Sequence, residues 1–187
     1  MKAELHEYLQ GARETLVWKL DGLGEYDIRR PLTPTGTNLL GLVKHNTAME
    51  ILYFGEVFDR APDAALRSCD AEPHSDLWAR PDETRDRIVE LYRRTWAFAD
   101  ATIGELPLDA AGHVAWWGDP ATTLGHVLVH VTAETQRHAG HADIVRESID
   151  GAAGILAGYD GLRLGDADAW TAFHDRIEEA ARLAAGR

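Results

Sequence analysis

The feature that most limits the fold of this chain is a rhythm it lacks. Apolar and polar residues alternate nowhere for more than a few positions, as a half-buried strand would require. Apolar residues recur instead at helical spacing through five stretches, each ended by glycine, proline or a polar cluster. The first covers residues 3 to 20 and stops at DGLGEYD. The second runs from about Asn38 to Phe58 behind PLTPTGTN, where Pro34 and Gly36 break the chain and Thr37 is the expected N-cap. The third opens PDETRDRIVELYRR, with Pro81 near the first turn, acids early and bases late, the order the helix dipole favours. The fourth extends from about Thr122 to Ile149 and meets Gly151, and the last spans about Asp166 to Ala185. The expected class is all-α, a four-helix bundle with an additional C-terminal helix, in a single domain over residues 1 to 187. Two long connections, RAPDAALRSCDAEPHSDLWAR and ELPLDAAGHVAWWGDPATT, exceed ordinary bundle loops, so they are expected to cover an open end.

Charge removes one class of partner. With 31 acids against 19 Lys and Arg, the net charge is −12 and the basic residues are scattered; a nucleic-acid backbone would be repelled. No apolar run approaches the roughly 20 residues of a membrane span, and the opening MKAELHEYLQGARETL lacks a secretory signal, so no membrane partner and a cytoplasmic location are expected. Cys69 is the only cysteine, which rules out an internal disulfide and a thiolate zinc cluster; in LRSCDAEP it reads as an inert thiol rather than a nucleophile.

The stretch ETQRHAGHAD raises the functional question, because it packs Glu134, Arg137, His138 and His141 into a helix whose pattern calls for burial. At about 100° per residue, Leu124, Val127, Val131, Ala142 and Val145 all fall within roughly 40° of His138, which centres that residue on the apolar face. Glu134 lies about 40° to one side, four residues earlier. His141 falls about 60°, His130 about 80° and His126 about 120° away, so these three are weaker candidates. Arg137 points about 100° away and receives no chemical role. On the second helix His45 lies within a face made by Gly41, Leu42, Ala48, Met49 and Leu52, whereas Glu50 projects about 140° away and reads as solvated surface.

One inward histidine is more often a hydrogen-bonded core residue than a ligand, and a Glu with a His four residues on can be a buried ion pair. Three inward polar groups on two helices, with no inward Lys or Arg evident to pair with them, favour a cation instead. Two histidines and a carboxylate form the ligand set of catalytic zinc sites, and equally that of ferrous triads, so zinc is the first choice and nickel, iron or manganese remain open. His130 and His141 are candidates to orient the ligands. Trp116 and Trp117 are candidates for a pocket wall, although a Trp pair is more often core, and Trp78 shares that ambiguity.

The blocks TNLLGLVKHNTAMEILYFGEVF, SDLWARPDETRDRIVELYRR and WWGDPATTLGHVLVHVTAETQRHAGHADIVRESIDG resemble the DinB-like superfamily. Within it they look like the actinobacterial branch akin to the mycothiol-dependent transferases and the N-terminal domain of mycothiol-dependent maleylpyruvate isomerase. The likeness covers roughly residues 10 to 155. It implies a helical bundle holding one divalent metal through His45, Glu134 and His138. Many relatives have histidine where Glu134 stands, and the glutamate version is similar to the thiol-using branch. The resemblance further implies a thiol S-transferase with mycothiol as co-substrate, a second, electrophilic small molecule, and room for a homodimer. Two alternatives stay open: metal-assisted hydrolysis, and a non-enzymatic metal-binding protein.

Overall fold

The computed structural model describes residues 1–63, 66, 72–158 and 166–186; Cys69 lies outside the described residues. Within them the chain is all-α apart from one small ladder. The elements are α1 (Lys2–Trp18), α2 (Glu25–Arg29), α3 (Leu39–Phe54), α4 (Arg85–Glu105), β1 (Ala111–His113), β2 (Ala121–Thr123), α5 (Leu124–Asp150) and α6 (Ala167–Ala184). The five expected helices are α1, α3, α4, α5 and α6.

The helix ends follow local chemistry. Asn38, not Thr37, caps α3: its side-chain oxygen accepts the Gly41 N–H at 2.7 Å. That helix stops at Gly55, and Glu56–Phe58, expected to continue it, forms a separate 3-10 turn. Thr84 caps α4, so Pro81 stands ahead of the helix instead of within its first turn. Thr123 caps α5, and Gly151 closes it in the left-handed conformation at φ 79°, with its N–H returning to the Glu147 carbonyl. The short α2 and the antiparallel β1–β2 ladder, with Gly112 opposite Thr122, are elements that periodicity did not reveal. Each strand has three residues, too few for alternation to register.

α3 is the central helix, packing on α4, α5 and α1, while α1 also lies along α5. Its position explains why apolar residues surround it: Leu39, Leu40, Val43 and Phe54 are all essentially inaccessible. Two apolar clusters result. One joins Leu16, Leu40, Val43, Tyr92 and Ala142. The other joins Leu9, Phe54, Ile103, Leu124 and Val127. Each of the Leu, Ile, Val and Phe side chains among them contributes about 1.5–3 kcal/mol of hydrophobic stabilisation. No residue of α6 is buried, so that helix adds nothing to this core. No helix among the described residues is long and apolar enough to cross a membrane.

Candidate functional site

The surface shared by α3 and α5 is not filled. A cavity of about 170 Å³ lies there, lined by His45, Met49, Glu50 and Tyr53 from α3 and by His130, Glu134 and His138 from α5. The His45 and His138 rings meet edge to face with centroids 5.0 Å apart, and Tyr53 meets His130 at the same separation. Contacts that ascend one helix as they descend the other make the two antiparallel here.

Both long connections close on this cavity, the first on the His45 side. A Cβ on Gly41 would come within 2.0 Å of the Leu77 carbonyl oxygen, so only glycine lets the 3-10 turn Ser75–Leu77 lie directly on α3. Asn38 fixes that turn by donating its side-chain N–H to the same carbonyl at 3.1 Å, and Lys44 reaches the Trp78 carbonyl at 3.2 Å. The result is a hydrogen bond of 2.6 Å between Asp76 Oδ2 and His45 Nδ1. A carboxylate on Nδ1 fixes the ring and leaves Nε2 with its lone pair for a ligand. Asp76 escapes a reading by periodicity because it belongs to no periodic element; its only signal is its place in SDLWARP.

His138 is short of partners. Its Nδ1 is buried without a hydrogen bond, a situation that costs about 1–3 kcal/mol unless something binds there. Its Nε2 lies 3.9 Å from Glu134 Oε2. Burial, together with the neighbouring His45 and His141, pushes its pKa down to about 4, so the ring is neutral near pH 7, the state a metal ligand needs. Glu134 itself is 42% exposed and has the Arg137 guanidinium 3.6 Å away, so Arg137, given no role from its direction, contacts the carboxylate after all. Among the described residues no group of three or more His, Cys, Asp or Glu side chains is already arranged to hold a metal ion. The structure does place His45, Glu134 and His138 on one cavity wall, with a tethered imidazole, an orphaned imidazole nitrogen and a half-exposed carboxylate. That donor set fits a divalent cation chemically.

The weaker candidates separate. His130 is half-buried, with its Nε2 3.0 Å from the Tyr53 hydroxyl. His141 is exposed, its ring centroid 5.6 Å from that of His138. The hairpin between β1 and β2 carries Trp116, which is 51% exposed and stands edge-on to Tyr53. Trp117 is half-buried between His126 and His130 and packs on the second apolar cluster. Trp78 is 43% exposed.

Glu50 requires correction. Read as solvated surface, it is fully buried and takes a bidentate pair of hydrogen bonds from Arg13, Nε to Oε1 at 3.0 Å and Nη2 to Oε2 at 2.6 Å. The expectation that no basic residue turns inward fails with it. A measure of one face cannot work for a helix buried on several sides. Arg13 was findable: at about 100° per residue it sits within roughly 60° of Leu9, Leu16 and Leu20, and an arginine inside such a stripe demands an acid.

An all-helical protein whose two central helices direct histidines and a carboxylate into one small cavity has the makings of a ligand-binding enzyme. The family follows from comparison: the chain matches the model of the mycothiol-S-transferase family over residues 4–151. It belongs to that family. The matched span takes in all but the first two residues of α1, then α2 to α5, both long connections and every residue of the cavity, and leaves α6 outside. No curated protein matches the chain.

Proposed function

We propose that the protein is a metal-dependent transferase that joins the sulfur of mycothiol, or a closely similar small thiol, to an electrophile. His45, Glu134 and His138 would be the metal ligands and Asp76 the group that orients His45. One observation carries the reading: imidazoles from antiparallel helices meet at the cavity, one tied at Nδ1 by a carboxylate and the other with a buried nitrogen that nothing in the chain satisfies. A structural histidine has no reason to remain in that condition.

A divalent cation bound there would supply thiol acidification, since a coordinated thiol loses its proton at neutral pH. The remaining steps belong to the protein. Glu134, exposed enough to move, would swing toward His138. Met49 and Val131 line the cavity with apolar surface and exclude water from the sulfur. A volume of about 170 Å³ holds the sulfur and the reacting end of an electrophile, not a whole sugar-bearing thiol, so the rest of the thiol lies outside. Met49 also lines an open groove with Ala48, Ile51, Leu52, Glu56 and Asp59, which offers that outer part both an apolar floor and polar rim groups.

The test is metal content and thiol dependence in parallel. Wild type should bind about one divalent ion, while His45→Ala and His138→Ala lose it by at least tenfold in affinity. Transfer should require added mycothiol. Equal metal content in all three proteins removes the site, and turnover without any thiol points to hydrolysis.

A further inference from the structure

The same cavity has a second polar end that metal binding does not use. Tyr53 is 7% exposed, and its hydroxyl lies 3.0 Å from His130 Nε2; both residues line the cavity that His45 and His138 enter. Tyr53 follows His45 on α3 by the same number of residues, eight, as His130 precedes His138 on α5. The two pairs therefore form successive rungs between antiparallel helices, roughly 12 Å apart along the axis by helical rise. Their side chains converge from the two ends on one small space. Trp117 lies against His130 and Trp116 against Tyr53, which restricts both rings from the hairpin side.

A phenol buried beside an imidazole, lining the same small cavity as the sulfur site but entering it from the opposite end, is placed to act on an electrophile at an atom other than the one attacked. We propose that Tyr53, positioned by His130, is the hydrogen-bond donor for negative charge that develops on a carbonyl oxygen of the electrophile, and that the cavity selects acceptors whose carbonyl is conjugated to the attacked carbon. The inference rests on the thiol-transfer reading for its nucleophile. In such an acceptor two carbons separate the oxygen from the reacting position, so sulfur and oxygen reach opposite ends of the cavity. A simple carbonyl addition would put both charges at one end.

The step balances without a further reagent. Sulfur forms a bond to the terminal carbon of the double bond, whose π pair moves to make an enolate. His130 donates its Nε2–H to the Tyr53 oxygen, which leaves the phenolic hydrogen free to point at the enolate oxygen. The proton shed by the thiol passes to solvent, and solvent returns one to the carbon next to the carbonyl. No group is expelled and nothing is oxidised. A donor of this kind, fixed before the reaction in a site shielded from water, is worth most at the transition state.

The experiment compares mycothiol transfer by the metal-loaded protein to cyclohexenone and to an alkyl iodide, which releases iodide and develops no oxyanion. Tyr53→Phe should lower the ratio of the two kcat/KM values by about 100-fold, the usual loss for one oxyanion donor. His130→Gln should lower it by roughly tenfold, as expected for an orienting residue. A ratio unchanged in Tyr53→Phe overturns the proposal, as does an equal loss with both electrophiles. Binding of 4-nitrophenolate to the metal-loaded protein, followed by tryptophan fluorescence, separates this failure from that of the underlying reading. Its affinity should fall at least tenfold in Tyr53→Phe even if no thiol is transferred, and equal affinity in wild type and variant refutes the donor role.

Discussion

Two polar clusters are buried in this helical core, and they differ in how completely they satisfy themselves. Around Arg13 all three guanidinium nitrogens are engaged: Nε and Nη2 bind Glu50, and Nη1 reaches Asp100 at 2.8 Å and Gln10 at 3.2 Å. The pair is inaccessible at both ends. Burial pushes the Glu50 carboxyl above its ordinary value and the facing guanidinium opposes that rise; burial pulls Arg13 the other way, downward, but the carboxylates of Glu50 and Asp100 together outweigh it and hold Arg13 above its own. The neighbouring Tyr92 hydroxyl and Trp96 indole nitrogen make no hydrogen bond of ordinary geometry, although the hydroxyl interacts with both Glu50 and Trp96. Around His138 the reverse holds. One nitrogen is orphaned, the other is 3.9 Å from its nearest carboxylate, and a cavity adjoins both histidines. A buried polar group with its partners inside the chain is architecture, while one that lacks a partner and lines a cavity, as His138 does, is placed to receive a ligand.

The contrast predicts opposite responses to mutation. Removing one member of the satisfied pair leaves a buried charge alone, so Arg13→Met should destabilise the metal-free protein by about 3–5 kcal/mol in urea unfolding. His138→Leu should change stability of the same metal-free protein by no more than about 1 kcal/mol, because it removes an unsatisfied nitrogen and fills the space with carbon. Comparable losses in both variants would erase the distinction on which the site assignment depends.

What can be read in the chain divides along the same line. The helices are legible because periodicity and caps are local, and the valines around His138 mark its inward direction within α5 itself. Glu50 is misread because α3 packs on four helices, α1, α2, α4 and α5, a fact of assembly that no single helix encodes. Asp76 and Tyr53 stay hidden for different reasons. Asp76 acquires its role only when Gly41 admits the Ser75–Leu77 turn onto α3. Tyr53 resembles any other aromatic of an apolar helix until His130 is found across the cavity. Trp117 goes the way of most paired tryptophans, into the packing, whereas Trp116 stays exposed.

A finer test bears on the unsatisfied cluster alone. Asp76 touches His45 from outside the helices and belongs to no apolar cluster, so Asp76→Asn should leave urea stability within about 1 kcal/mol of wild type. It should nevertheless weaken divalent metal binding by roughly 10- to 100-fold, measured by competition with a chromogenic chelator, because His45 loses the carboxylate that fixes its tautomer. Unaltered metal affinity would mean that the 2.6 Å bond is only a tether for the connection, and His45 would lose its claim to be a prepared ligand.

The smallest effect belongs to a pair that is satisfied but not sealed. Arg146 binds Asp150 through Nε and Nη2 at 2.9 and 2.7 Å, in the same bidentate geometry as Arg13 and Glu50, yet Asp150 is 36% exposed. Here the hydrogen bonds from Arg146 outweigh the modest burial and hold the carboxyl below its ordinary value, whereas Glu50, fully buried, is shifted upward. A lowered carboxyl pKa means that the unfolded chain takes up a proton first as pH falls. The contribution of Asp150 is therefore complete above the ordinary carboxylate pKa and disappears as pH drops through that value to the lower folded one. Asp150→Asn should cost well under the loss from Arg13→Met at pH 7, since solvent screens an exposed pair, and the gap from wild type should close as pH is lowered below about 3.8. Thermal unfolding of both proteins from pH 7 downward reads this directly. A gap that widens in acid would show that Asp150 is held by something other than its ionised pair with Arg146, and that geometry alone does not distinguish the sealed pair from the open one.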